Sequence, residues 1–267
     1  MVNKLNSTTE RIFNETKNLW KSILDDSLSI ETFDTSVIKN FPLLDIANSS
    51  QSTFAIYDFR EMKPIFITEN VREIIGLSRD EYLKVGARLM FSKLLPSHSS
   101  FPLLASKKTE SILRNIGSSE KQNVFATVCG LSLEHPEKGY IKILMQQYFM
   151  DCENNNISPR VLSTMRDVSH LQKDDFYWFR LTHGKSNELV TVYHNKDEKV
   201  GNSMDIISVR EKEVLLLIER GLETDEIAQA LSISRNTVNN HRQNMLNRLG
   251  ARDTTALIEL ARICRLI

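Results

Sequence analysis

The stretch from Val209 to Arg252, VREKEVLLLIERGLETDEIAQALSISRNTVNNHRQNMLNRLGAR, constrains the fold more than any other part of the chain. Its apolar residues recur at helical spacing, and each run is bracketed by start and stop signals. Ser208 with Glu211 three residues on is a capping box that opens a first helix, and Gly221 stops it. Thr224 is expected to cap a short second helix whose first turn carries Asp225 and Glu226, where the helix dipole favours acids. Ser232-Ile233-Ser234 then turns the chain into a longer helix closed by Gly250, and Asp253 caps a last one from Thr254 to about Arg265. Val238, Met245 and Leu249 share one face and are expected to pack on Val214, Leu215, Ile218, Ile227, Ala228 and Leu231.

Helix, short turn, helix is the shape that lays its second member in a major groove. The whole chain is formally neutral, with 34 basic and 34 acidic residues, so it is no polycation. Between Glu226 and Asp253, however, no acid intervenes, while Arg235, Arg242, Arg248 and Arg252 all fall inside. A single-sign stretch on a helix suits phosphates and the counterions they release.

The patterns S-x-R-E-x-E-V-L-x-L-I-x-x-G, E-I-A-x-x-L-x-I-S and T-V-x-x-H-x-x-N-M-L-x-R-L-G-A resemble the LuxR-type (FixJ/NarL-like) helix-turn-helix domain over residues 205–267. The resemblance implies base contacts from Asn239, Asn240 and Gln243. It implies phosphate contacts from Thr237, Arg235, Arg242, Asn244 and Arg248. Relatives often carry lysine where this chain has Asn239; asparagine and glutamine pair with adenine N6 and N7, which biases the expectation toward A·T-containing half-sites. His241 is expected to pack inward. Leu257, Leu260, Ala261 and Cys264 on the last helix would form the dimer contact on DNA, or close the domain's own core. The implied partners are double-stranded DNA, a second copy of the chain on that DNA, and RNA polymerase.

At 267 residues the chain has room for a second domain. Residues 1–44 carry an amphipathic helical segment over 5–28, with Leu5, Ile12, Phe13, Leu19, Trp20, Ile23 and Leu24 near one face. TFAIYD and PIFIT read as strands, NVREIIGLSRDEYLK as short helices around Gly76, and residues 102–116 as a polar helix. NVFATVCGLSLE, GYIKILMQQYFMD and RVLSTMRDVSHL are three longer strands, the first two joined by the turn HPEKG. F-A-I-Y-D, then P-I-F-I-T-E-N-V-R-E-I-I-G-L-S-R-D-E-Y-L, and Arg166-Asp167-Val168 near the end resemble a PAS domain over residues 45–170. FYWFRLT and ELVTVYH form an added hairpin over 171–194, and the polar run 195–204 is the linker. The expected fold class is two domains: an α+β PAS-like antiparallel sheet followed by an all-α four-helix LuxR-type head.

A small-molecule or protein signal at the PAS-like domain is the implied input, and the residues leave its cofactor unknown. No flavin-type cysteine motif is present, and His98, His135 and His170 are scattered, without the pattern of a haem pocket. Cys129 reads as a buried inert thiol. Asp25-Asp26 sits in a helical pattern and not after a strand, which excludes a phosphoacceptor receiver, and Trp20 and Trp178 do not reproduce an acyl-homoserine-lactone site. No catalytic constellation and no metal-ligand spacing emerges, so the chain does not read as an enzyme. A sigma-like promoter-recognition factor ends in a similar motif, but the strand-rich middle argues against it. An N-terminal half that serves only dimerisation and protein contact remains a third reading. Three cysteines without a disulfide framework, no apolar run of about 18 residues and a polar N-terminus point to a cytoplasmic chain.

Overall fold

Seven antiparallel strands build one sheet: β1 (Ser52–Asp58), β2 (Lys63–Ile67), β3 (Phe125–His135), β4 (Gly139–Phe149), β5 (Arg160–Asp167), β6 (Trp178–His183) and β7 (Glu188–His194). Their order across the sheet is β2-β1-β5-β4-β3-β6-β7. The computed structural model describes residues 6–24, 51–115, 124–149, 160–173, 175–183, 188–194 and 205–267. The expectations for Leu5, Asp25-Asp26 and the 195–204 linker lie outside the described residues.

Sequence chemistry sets the sheet's edges. Asn70, two residues past the PIFIT strand segment, donates its side-chain amide to the Ser52 carbonyl at 2.8 Å and accepts from the Thr68 hydroxyl at 2.6 Å. The short side chain thus ties the exit of β2 to the entrance of β1. The RVLSTMRDVSHL segment pairs as strand only to Asp167, whose carboxylate accepts from the Ser169 amide and hydroxyl and turns the chain. The hairpin β6–β7 is no separate appendage. β6 pairs with β3 and extends the same sheet.

Helices cover one face: α1 (Ser7–Lys21), α2 (Arg72–Ile75), α3 (Arg79–Val85), α4 (Ala87–Lys93) and α5 (Phe101–Asn115). The first helix is shorter than the 5–28 expected: Asn6 caps it, accepting from the Thr9 amide at 2.8 Å, and Ser22 ends it. Ile12, Phe13 and Trp20 are buried against the sheet side, and the Trp20 indole donates to Ser106 of α5 at 3.0 Å. Under these helices lies a cavity of about 70 Å³, open on one side, with a second hollow of about 40 Å³ adjoining it. Tyr57 and Tyr82 share a 2.8 Å hydroxyl contact at its wall, and burial pushes the Tyr82 phenol up to about 12, so that hydroxyl is neutral at ordinary pH.

The C-terminal head is four helices, α6 (Val209–Glu219), α7 (Thr224–Ala230), α8 (Arg235–Leu249) and α9 (Thr254–Ile263). It sits on the sheet's other face. Cys129, Leu144, Val168, Leu171, Phe176 and Trp178 join the head's Val214, Leu215, Val238, Met245, Leu249 and Leu257 in one apolar cluster. The backbone of Leu171–Lys173 bridges to Gly250–Arg252: Lys173 N–H donates to the Gly250 carbonyl and Arg252 N–H to the Leu171 carbonyl, both at 2.9 Å. Among the described residues no helix is long and apolar enough to cross a membrane.

Candidate nucleic-acid interface

The helix-turn-helix is assembled by its caps. Ser208 accepts from the Glu211 amide while Glu211 accepts from the Ser208 amide at 2.7 Å, the reciprocal pair the spacing predicts. For α7 the cap lies one residue earlier than expected. Glu223, not Thr224, is the N-cap, and its amide donates to Glu226 at 2.8 Å. Ser234 caps α8, accepting from the Thr237 amide at 3.1 Å, with its hydroxyl 2.8 Å from that of Thr237.

Val238, Met245 and Leu249 are fully buried, together with Val214, Leu215 and Ile227, while Ile218 and Ala228 are almost so. Each of these Val, Leu, Ile and Met side chains contributes about 1.5–3 kcal/mol relative to exposure. Fixing that stripe inward rotates the opposite side of α8 to solvent. Asn239, Asn240, Gln243 and Asn244 are exposed there, and so are Asn236 and Asn247 on the same i, i+3, i+4 row. The last two were missed in the sequence, although helical spacing alone puts them on that face. Gln243 donates to Asn247 at 3.0 Å. His241 is half-buried beside the stripe.

The arginines divide into two kinds. Arg235 is exposed and pairs with exposed Asp225 at 2.6 Å, a contact easily exchanged for a phosphate. Arg242 is half-buried and reaches Thr224 Oγ1 at 3.5 Å. Arg248 is held differently: its guanidinium donates at 2.6 Å to Glu211, whose carboxylate is 2% exposed. Arg248 therefore neutralises a buried charge within the head. That ties it to α6, and a phosphate could reach only its outward side.

Leu257, Leu260, Ala261 and Cys264 are all completely buried within the chain. The helix that carries them lies over the sheet: Gln146 of β4 donates to the Ile263 carbonyl at 3.0 Å, and Arg166 of β5 pairs with Glu259 at 3.3 Å. In this conformation the four residues close an internal core and present no face to a second copy. Burial and the neighbouring Cys264 push the Cys129 thiol well above its ordinary value, which fits the inert reading of that cysteine.

A further tie joins β6 to the start of the head. Buried Arg180 donates to both oxygens of Asp205, at 2.9 and 3.1 Å, and Lys212 adds a third contact at 3.2 Å. Burial alone would raise the Asp205 carboxyl; the Arg180 hydrogen bond and charge, the Ile206 amide and Lys212 outweigh it and hold it below its ordinary value. The folded value thus lies under the unfolded one. The stabilisation is complete above the ordinary aspartate range and is lost as pH falls through the folded value. Asp205→Asn is expected to lower stability at neutral pH by about 1–3 kcal/mol. Urea midpoints across pH should show the gap to the parent closing in acid, whereas a pH-independent gap would mean the tie is not ionic.

A four-helix head whose third helix turns its polar side to solvent is a helix-turn-helix domain. Residues 205–261 match the family model "Bacterial regulatory proteins, luxR family", and the head is a LuxR-type domain. The chain is similar to the "Oxygen regulatory protein NreC" of Staphylococcus haemolyticus, 33% identical over 82 residues. It is also similar to that of Staphylococcus aureus, 35% identical over 85 residues. In both cases the match covers 31% of this chain and spans 38% of the relative's length. Among solved structures, a phage VqmA–DPO complex is 14% identical with a TM-score of 0.33, covering 88% of this chain and 91% of that one. A Vibrio cholera VqmA–ligand–DNA complex is 15% identical, again with a TM-score of 0.33, covering 84% and 87%. TM-scores that low bear on neither the fold nor a ligand here.

Proposed function

We propose that the chain is a sequence-specific DNA-binding transcriptional regulator whose N-terminal domain is a PAS-like input module. The observation that carries the reading is the exposed polar row on α8, Asn239, Asn240 and Gln243, inside a head that matches the luxR family. Their amides suit base edges, adenine above all, while Arg235, Thr237, Arg242, Asn244 and the outward side of Arg248 face phosphates. The strand order β2-β1-β5-β4-β3, with helices inserted between β2 and β3, supports the PAS-like reading of residues 45–170.

Docking of the head gives the proposed mechanism its two states. With α9 on the sheet, its apolar residues are occupied and the head acts singly. Released, α9 would offer Leu257, Leu260 and Ala261 to a second copy, so that paired heads read a two-fold site. A signal that binds the docked and released states unequally shifts the population between them.

Selection of bound duplexes from a random pool by the full-length chain tests this. A single half-site motif is expected from docked heads and its two-fold symmetric pairing from released ones; no enrichment of any sequence would remove the regulator reading. Asn239→Ala and Gln243→Ala are expected to relax base preference at one position each, by about 1–3 kcal/mol. Arg242→Ala should instead weaken all duplexes alike and flatten the salt dependence by about one phosphate contact. Mutants that bind every duplex as tightly as the parent would place the interface elsewhere.

A further inference from the structure

The sheet is a single layer between two environments, and each central strand serves both. On β4, Met145 and Gln147 line the cavity, while Leu144 lies in the head's apolar cluster and Gln146 holds the Ile263 carbonyl. On β6, Phe179 faces the cavity and its neighbours Trp178 and Arg180 face the head. Strand geometry requires this, because successive side chains point to opposite faces.

The two hollows share Phe59, Met62, Met90, Met145 and Gln147, so they are parts of one space. Among the described residues, no Asp, Glu, Lys, Arg or His lines either of them. An ionised ligand would lose its hydration there and find no opposite charge among those side chains, which disfavours it against a neutral one. The helix-side hydroxyls are already engaged: Thr16 donates to the Ile12 carbonyl and Thr109 to the Ala105 carbonyl, both at 2.8 Å, and Ser106 accepts from Trp20. Gln147 is different. Its amide donates only weakly, to the Met145 sulfur at 3.8 Å, and a stronger acceptor would displace that contact. Four methionines, Met62, Met90, Met145 and Met165, supply unbranched walls that re-form around a guest.

We propose that this cavity binds an uncharged, mainly apolar small molecule with one hydrogen-bonding head on the Gln147 amide, and that β4 passes its presence to α9. The proposal rests on reading the N-terminal domain as an input module, and it adds the ligand's class and the route. A guest against Met145 and Gln147 presses on the strand whose next residues, Leu144 and Gln146, hold the head.

The test uses the full-length chain with ¹³C-labelled methionine methyls and two naphthalene probes that differ in one substituent, neutral 2-naphthol and anionic 2-naphthoate. Naphthol is expected to shift the Met90 and Met145 methyls saturably, with naphthoate at least tenfold weaker. Gln147→Lys, checked for an unchanged melting temperature, should admit naphthoate by supplying the missing cation. Saturating naphthol should also change amide exchange in α9 several-fold. Equal binding of both probes by the parent, or no methyl shift from either, would overturn the site; saturation without any change in α9 would overturn the route. Duplex selection by the probe-free chain tests the regulator reading independently, since enrichment without methyl shifts leaves that reading standing and removes this one.

Discussion

Gly130→Ala is expected to cost at least about 3 kcal/mol, from a single added methyl. Gly130 sits at the bulge between Cys129 and Leu131 on β3, with φ of +92°. A side chain held at positive φ already costs about 1–3 kcal/mol. The methyl would also stand 2.1 Å from the Phe176 carbonyl oxygen and 2.7 Å from Gln172 Oε1. A backbone carbonyl cannot rotate aside as a flexible side chain does. The segment carrying Phe176 would have to move, and with it the floor on which Gly250 and the end of α8 rest: a Cβ at Gly250 would lie 2.5 Å from the Phe176 ring. Urea unfolding checks this. A midpoint equal to the parent's would mean that the close approach at Gly130 is not maintained in solution.

Trp178→Ala is the second large effect, expected at about 3–5 kcal/mol. The indole is fully buried and belongs to the cluster that sheet and head share. Its removal should therefore lower the melting of both parts together and speed amide exchange along α9, without touching the exposed row of α8. Thermal melting followed by far-ultraviolet dichroism, with exchange mapped by residue, separates the outcomes. If only the sheet is destabilised while α9 keeps its protection, the two parts do not share a core.

The head was legible in the sequence because each of its boundaries is a local event. Ser208, Ser234 and Asp253 cap within three residues of themselves, and the buried stripe follows from spacing alone. The displaced cap at α7 shows the limit of that reading: Glu223 and Thr224 are both oxygen-bearing neighbours, and the competition is decided by the Glu226 partner. Arg248 shows a different limit. Its partner Glu211 lies 37 residues away, and a surface-like arginine on the outward side of a helix gives no sign of a buried acid.

Docking of the head depends on contacts distant in sequence, yet β3 and β6 carry a trace of it. Eight consecutive residues of β3, Ala126 to Leu133, are buried, and the first five of β6 are as well. A strand with one wet face alternates; a nearly continuous buried run belongs to a strand covered on both sides. Arg180 obscured the signal in β6, because a lone arginine in an apolar run suggests a solvent-facing residue until its acid is known.

The Gln172–Ala251 bridge bears on how such a chain could be recombined. A cut in the 195–204 run would look natural on a sequence diagram, with a sensor to its left and a reader to its right. The reader's floor would then stay behind, since Leu171, Phe176 and Trp178 precede the cut while the surfaces they cover follow it. A graft that exchanges heads must carry the 171–183 segment across or redesign the face it leaves bare. In this chain the unit that can be inherited or swapped is larger than the four-helix head.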